Sequence, residues 1–185
     1  MPIFDGRFDQ FLSVDGLRAA DAAPELLGTG SVKVKLNDRQ RIYLWHPDLT
    51  VDIESAELRD RRHFFTSHVV SGELTIEEWS FQTNDYGDHQ RIYGRCQSGA
   101  FQEFQDDGFG RVEKGASYTL AAGSKFSLPP DRYYRFRASR CVMLLERGEI
   151  LTDFASVVRP LGSLSANYNE ISEARLWECI AELLA

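Results

Sequence analysis

The chain has 185 residues and a formal net charge of −7 at pH 7, with 43% hydrophobic and 26% charged residues. This balance is that of an ordinary globular protein with enough apolar side chains for a substantial core. The negative charge argues against nucleic acid and against an anionic membrane surface as partners, because both attract basic proteins.

The cysteines and the N-terminus indicate a reducing compartment. Cys96, Cys141 and Cys179 are spaced neither as a metal knuckle nor as a redox pair. The N-terminus has early acids and no apolar core of a signal peptide, and no apolar run approaches the roughly 20 residues of a membrane span. We therefore expect free thiols and a cytoplasmic protein.

Helical spacing comes first along the chain, and strand patterns follow it. Apolar residues at helical intervals predict one or two short helices within 5–27, with Pro24 in a first turn. After the Gly-Thr-Gly break at 28–30, alternating apolar and β-branched residues predict many short strands, as in a sandwich or closed barrel. The predicted strands cover 31–36, 39–45, 50–58, 61–70, 73–82, 90–96, 100–105, 109–113, 116–121, 125–128, 132–138 and 140–146.

The C-terminal segment predicts an amphipathic helix over 165–185. Its apolar stripe includes Trp177 and Ile180, and we expect it to pack on the barrel or, alternatively, on a second subunit. Asn169 or Ser172 suits the N-cap. No repeat or linker divides the chain, so we predict a single domain: a helical extension over 1–30, a β-barrel over 31–150 and this helix. Within the barrel, residues 84–115 predict an extra hairpin or a lid.

Two stretches resemble the two sequence motifs of cupins. HVVSGELTIEEW, residues 68–79, resembles the strand–turn–strand of the first motif. GSKFSLPPDRYYRF, residues 123–136, resembles the second motif, with Gly123 and Pro129 at the motif spacing. This resemblance implies a double-stranded β-helix, which is a jelly-roll barrel, and a homodimer.

The resemblance also implies where a cupin metal would bind, and the residues at those positions differ. Cupins usually hold a metal with three histidines and one glutamate. Counting back from Gly72 places the first-motif positions on Arg59, Arg61 and Phe65, and the second-motif histidine falls on Tyr134. Arginine stays protonated and phenylalanine has no donor atom. We therefore predict neither a metal nor another cofactor.

Strand alternation predicts which side chains face the barrel interior. His63 shares the parity of Arg59 and Arg61, whereas His68 faces away. Such a basic interior is neutralised either by internal acids, among them Glu57, Asp60 and Glu77, or by the carboxylate or phosphate group of a ligand. The predicted ligand-binding residues are Arg59, Arg61, His63, Arg132, Tyr134, Trp45 and Trp79.

Four hypotheses about function follow, and we favour the first. It is metal-free binding of a small anionic molecule in the barrel interior, with the question of a reaction left open. The second is a metal-free isomerase, epimerase or cyclase that uses His63 as the base and Tyr134, or Tyr133, as the acid. The third is a metal-dependent, dioxygenase-like enzyme with displaced ligands such as His63, His68 and Glu73. The fourth is a structural protein with a packed interior.

Overall fold

A computed structural model describes residues 8–27, 30–49, 57–60, 62–97, 100–130, 132–162 and 171–185, and all their side chains except those of 96, 97 and 100–104. These residues form two α-helices, α1 (Val14–Ala19) and α2 (Glu173–Leu184), two short 3-10 turns and eleven strands. The strands are β1 (Pro24–Leu26), β2 (Ser31–Lys35), β3 (Gln40–Trp45), β4 (Leu58–Arg59), β5 (His63–Thr83), β6 (His89–Gln97), β7 (Ala100–Ala121), β8 (Lys125–Leu128), β9 (Tyr133–Arg137), β10 (Cys141–Ile150) and β11 (Phe154–Pro160).

The strands pair in two halves that share β5. Its first part, residues 63–72, pairs with β8 and β10, and the sheet continues through β3 and β2 to β1; we call this half the core sheet. Its second part, residues 73–83, pairs with β7 and β9. The pairings β7–β6, β6–β11, β11–β4 and β4–β9 close the second half into a ring of six strands, which we call the ring.

All of these pairings are antiparallel, and the fold is mainly β. This mainly β architecture, with a short N-terminal helix and a C-terminal α-helix, is the one that the sequence predicted. Gly72 marks the point where β5 passes from one half to the other. Its φ of +77° lies in the left-handed region, and a Cβ there would come within 2.0 Å of the Arg140 carbonyl oxygen, so only glycine fits.

An apolar core lies between the core sheet and the ring; we call it the barrel core. The inward positions alternate with outward ones along the strands, so Tyr43 and Trp45 face this core while Ile42 and Leu44 face the other side of the core sheet. Aromatic and aliphatic side chains fill it from both halves. They are Tyr43, Trp45, Phe65, Val69, Leu74, Ile76, Leu128, Tyr134, Phe136, Cys141, Met143 and Leu145.

Helix α2 covers the outer face of the core sheet, which confirms the predicted packing of the C-terminal stripe on the barrel. Leu176, Trp177 and Ile180 are buried against Ile42 and Leu44 in one apolar cluster. The helix begins after Ser172, whose hydroxyl accepts a hydrogen bond from the backbone N–H of Arg175 at 3.3 Å. Of the helices formed by the described residues, none has the length and apolar character needed to span a membrane.

Several predicted element boundaries are wrong. Pro24 begins strand β1 instead of a helix, so the sheet starts before residue 31. The strands predicted over 61–70 and 73–82 are one strand, β5, and those predicted over 100–121 are one strand, β7. Both carry glycines that sequence reasoning treats as turns. The sheet also extends past residue 150, because β11 follows it. The predicted extra hairpin within 84–115 is present as β6 and β7.

Candidate functional site

Two of the four cupin ligand positions lie in the barrel core. Phe65 is 3% exposed, and its ring centroid lies 6.4 Å from that of Phe136. Tyr134 is 5% exposed in the same cluster. A phenylalanine offers no donor atom and one tyrosine does not hold a divalent ion, so these residues do not fit the metal that the cupin fold implies.

The prediction that Arg59 lines the barrel interior is wrong. Its side chain is 61% exposed and forms an ion pair with Glu57, with 2.6 Å between Nη2 and Oε2. Arg59 lies directly opposite Tyr134 in the pairing of β4 with β9, as its parity predicts, but its side chain reaches solvent at the end of the two-residue strand β4. The other predicted arginine, Arg61, lies outside the described residues.

Trp45 and Tyr134 pack in the barrel core, and His63 lies at its edge. The Trp45 ring is 3% exposed and stacks at 6.3 Å on Tyr43. Burial lowers the pKa of His63, and so do the charges of Arg147 and Arg62. Among the described residues, no three histidine, cysteine or acidic side chains are placed to hold a metal, so the displaced-ligand set does not come together.

A cleft of ≈ 780 Å³ opens on the ring. Trp79 and Tyr133 form a directly opposed pair between β5 and β9, and both line this cleft. Since neighbouring residues alternate, Tyr133 points to the face opposite Tyr134 and Phe136, which lie in the barrel core. The cleft is therefore separate from the barrel core, and neither His63 nor Tyr134 lines it.

A hydrogen-bonded chain crosses one wall of the cleft. The Ser156 hydroxyl donates to Oδ2 of Asp60 at 2.7 Å, and the Ser156 backbone N–H donates to Oδ1 at 2.8 Å. Ser156 has only one hydroxyl proton, so the Tyr133 hydroxyl is the donor in its 2.6 Å bond to Ser156. Burial raises the pKa of Tyr133, which therefore stays protonated at neutral pH.

Aromatic rings form the other walls. Tyr93 on β6 and Phe154 on β11 stack with centroids 5.0 Å apart and an interplanar angle of 8°, and both remain partly exposed. The guanidinium of Arg91 lies 4.7 Å over the ring of Phe81, while its Nε pairs with Asp107 at 2.8 Å. This arrangement offers flat apolar faces beside a positive charge.

Two more polar features face the cleft. Glu78 accepts hydrogen bonds from the Tyr118 hydroxyl and, at 3.0 Å, from Nη1 of Arg132, whose side chain is 56% exposed. The Nε1–H of Trp79 is buried and finds no acceptor within the described part of the chain, although Arg135 lies over the indole ring at 4.7 Å. A buried indole N–H usually has a partner.

The cleft contains only part of the predicted set. Trp79, Arg132 and Tyr133 line it, but sequence reasoning did not assign Arg91, Tyr93, Phe154 or Ser156 to any site. The strand pattern in FASVVRP, residues 154–160, could have identified β11 and thereby shown that Phe154 and Ser156 point to one face, which is the face of the cleft. Nothing local marks Arg91 or Tyr93, because strands far apart in the chain build the site.

The described residues define a mainly β protein whose cleft lies outside the barrel core. No protein-family model matches the chain, and no curated protein matches it. A solved structure of hydroquinone 1,2-dioxygenase from Sphingomonas sp. TTNP3 with 4-hydroxybenzoate bound is 16% identical, with a TM-score of 0.38, covering 81% of this chain and 83% of that chain. Hydroquinone 1,2-dioxygenase PnpCD, in complex with Cd²⁺ and 4-hydroxybenzonitrile, is 15% identical, with a TM-score of 0.34, covering 81% and 82%.

Proposed function

We propose that this protein binds a small planar anion in the cleft of the ring, and not in the barrel interior where the sequence suggested it. The observation that carries the proposal is the pairing of flat aromatic faces with polar donors in one cleft. Tyr93 and Phe154 offer the apolar face. Arg91, which lines the same cleft, offers a positive charge to a carboxylate.

A matched set of carboxylates tests this proposal. Benzoate has a planar ring, cyclohexanecarboxylate has a puckered ring and acetate has none, while all three carry the same charge. Stacking on Tyr93 and Phe154 predicts that affinity falls in that order. Isothermal titration calorimetry of the purified protein at one ionic strength measures the three affinities. Equal affinity for all three, or no binding of any, would contradict the proposal.

Two tyrosine variants locate the binding site. Tyr93→Ala removes one face of the stacked pair and should weaken benzoate binding by about three- to tenfold, as for the loss of roughly 1 kcal/mol of aromatic contact. Tyr86→Ala is the control, since Tyr86 is 91% exposed in the turn before β6 and does not line the cleft. The same loss in both variants would place benzoate elsewhere.

A second candidate, proton transfer on an enolisable substrate, is favoured by the hydrogen-bonded chain at Tyr133. A substrate C–H proton would pass to the Tyr133 oxygen as the Tyr133 proton moves to Ser156 and the Ser156 proton moves to Asp60. The electron pair of the broken C–H bond would form the enolate, and the positive charge of Arg91, which lines the same cleft, would stabilise it. The proton then returns to carbon by the same route. This version replaces the predicted pair of His63 and Tyr134.

Deuterium exchange distinguishes binding from proton transfer. Phenylpyruvate combines a ring, a carboxylate and exchangeable methylene protons, and ¹H NMR in D₂O follows their loss. The second candidate predicts exchange faster than in buffer, reduced to the buffer rate in Tyr133→Phe while benzoate still binds. If the wild-type protein does not raise the exchange rate above that in buffer, proton transfer is ruled out and ligand binding remains as the proposed function.

A further inference from the structure

The pairing of β6 with β7 is interrupted beside the cleft. The pairs on the two sides of the interruption are Gln90–Phe109 and Ile92–Asp106. Between these pairs β6 has one residue, Arg91, and β7 has two, Asp107 and Gly108. Two residues that oppose one form a β-bulge, which changes the direction of the side chains around it. The bulge sets Asp107 opposite Arg91, and Arg91 lines the cleft.

The sequence Asp-Asp-Gly-Phe-Gly, residues 106–110, suits this bulge. Gly108 has a φ of +94°, in the left-handed region that glycine adopts without strain. Oδ1 of Asp106 accepts from the Gly108 backbone N–H at 3.0 Å, and Oδ2 accepts from Nε2 of Gln90 at 2.9 Å. A Cβ at Gly110 would lie 2.4 Å from Cζ of Phe81, so the glycine leaves room for that ring. The local sequence therefore specifies both the bulge and the place of the Phe81 ring.

Arg91 is held between Asp107 and Phe81. Its Nε lies 2.8 Å from Oδ2 of Asp107 in an ion pair, and its guanidinium carbon lies 4.7 Å from the centroid of the Phe81 ring. Burial raises the pKa of Tyr133, while the charge of Arg91 and a hydrogen bond with it act against that rise. The guanidinium that Asp107 contacts on one side therefore also reaches Tyr133 in the cleft.

We propose that Asp107 is a positioning residue of the cleft, which holds the Arg91 guanidinium in the orientation in which it meets a carboxylate. Asp107 does not line the cleft and its side chain is 46% exposed, so it acts through Arg91 and not on the ligand. An arginine that is already oriented avoids the loss of rotamer freedom that binding would otherwise cost. This inference rests on the proposed function and gives the hairpin of β6 and β7 a part in it.

The ligand-free protein tests the positioning by itself. ¹⁵N relaxation gives the order parameter of the Arg91 Nε–H group, which should fall by about 0.2 or more in Asp107→Ala, as between an ordered and a flexible group. Arg95 on the same strand is the internal control, because it does not line the cleft and its nearest acid is Asp153, at 3.8 Å. An unchanged order parameter for Arg91, or an equal fall for Arg95, overturns the proposal.

Benzoate titrations test the consequence for binding. Asp107→Ala and Asp107→Asn remove the same charge, but asparagine keeps an oxygen beside Nε of Arg91. We expect Asp107→Ala to bind benzoate about three- to tenfold more weakly than Asp107→Asn, and the two to bind equally when Arg91→Met is added. Equal affinities with Arg91 present, or a difference that persists without it, refute the positioning role. If the wild-type protein binds no benzoate, the proposed function fails, and the order parameters still decide whether Asp107 positions Arg91.

Discussion

At the scale of single residues, Phe65 shows that the barrel core is packed. It stands at the glutamate position of the motif that the sequence resembles, and it packs edge-on against Phe136 at an interplanar angle of 66°. Tyr134, at the histidine position of the second motif, lies in the same cluster. Phe65 and Tyr134 are therefore both part of the apolar interior, where their side chains contribute to stability.

Neighbouring phenylalanines test this interpretation. Phe65→Ala should lower the free energy of unfolding by about 3–5 kcal/mol, because it leaves a cavity among side chains that cannot collapse fully. Phe64 is 47% exposed, so Phe64→Ala should alter the free energy of unfolding by only about 0.5 kcal/mol. Urea unfolding followed by circular dichroism measures both. A loss below about 1 kcal/mol for Phe65→Ala would mean that the core is loosely packed.

Glu77 is a second residue whose environment determines its role. It is 3% exposed, and its Oε1 accepts from Nζ of Lys114 at 2.6 Å and pairs with Nε of Arg137 at 2.9 Å. Burial alone would raise the pKa of Glu77, but hydrogen bonds and charges from Lys114 and Arg137 outweigh it and lower that pKa. The carboxylate is therefore the form that the folded state stabilises.

Replacing this carboxylate should weaken the protein in a pH-dependent way. Glu77→Gln is expected to cost about 1–3 kcal/mol at pH 7, since two cations lose their shared partner. A lowered carboxyl pKa gives stability that is present above the ordinary value of 4.5 and is lost as the pH falls through the folded-state pKa. The difference between wild type and variant should thus shrink below pH 4.5. Glu113→Gln, an exposed change on β7, is the control for urea unfolding at each pH.

At the scale of elements, His46 ties helix α2 to the end of β3. The Asp48 backbone N–H donates to Nδ1 of His46 at 3.2 Å, so the ring proton lies on Nε2, which donates to Oε2 of Glu182 at 3.0 Å. The His46 side chain is 3% exposed, whereas Glu182 lies on the outer side of helix α2. One neutral tautomer thus satisfies both contacts.

Removing the histidine should loosen the helix before the barrel. His46→Ala is expected to cost about 1–3 kcal/mol, because it leaves a buried N–H without its acceptor. Hydrogen exchange should speed up in α2 more than in β5, since the lost contact belongs to the helix. Glu182→Gln retains an acceptor for Nε2 and should have a smaller effect. Uniform acceleration throughout the protein would show that the helix has no separate opening.

The sequence predicts elements well where one pattern covers one element. The alternation in β2 and β3 and the stripe of α2 follow from local periodicity alone, and both are correct. Arg59 was misplaced because alternation predicts the face to which a side chain points and not whether that position is buried. The cleft could not be predicted, because Asp60, Arg91 and Ser156 meet only after the ring closes.

At the scale of the whole molecule, histidines and acids make stability fall in two stages as pH decreases. Burial lowers the pKa of both His63 and His68 in the folded protein. As the pH falls, these histidines therefore become protonated in the unfolded chain before they do so in the folded protein. Stability from this source is complete above the ordinary histidine pKa of 6.5 and decreases below it. The carboxyl stage follows below pH 4.5.

Urea unfolding between pH 8 and pH 3 should therefore show a first decline below pH 6.5 and a second below pH 4.5. A double variant with glutamine at both positions, His63→Gln and His68→Gln, should lose the first decline and keep the second. A stability maximum near pH 5.5 in the wild type would contradict the assignment. The expected homodimer is measured independently, by sedimentation equilibrium at pH 7.

The continuity of β5 has a consequence for how the molecule comes apart. One 21-residue strand supplies Phe65 to the barrel core and Trp79 to the cleft. Because both compartments share β5, the unfolding of one removes contacts from the other, so the two should unfold as one cooperative unit. Tryptophans occur in both, Trp45 in the barrel core and Trp79 at the cleft, so variants that retain only one of them report the unfolding of one compartment each by fluorescence. The two signals should report a single melting temperature.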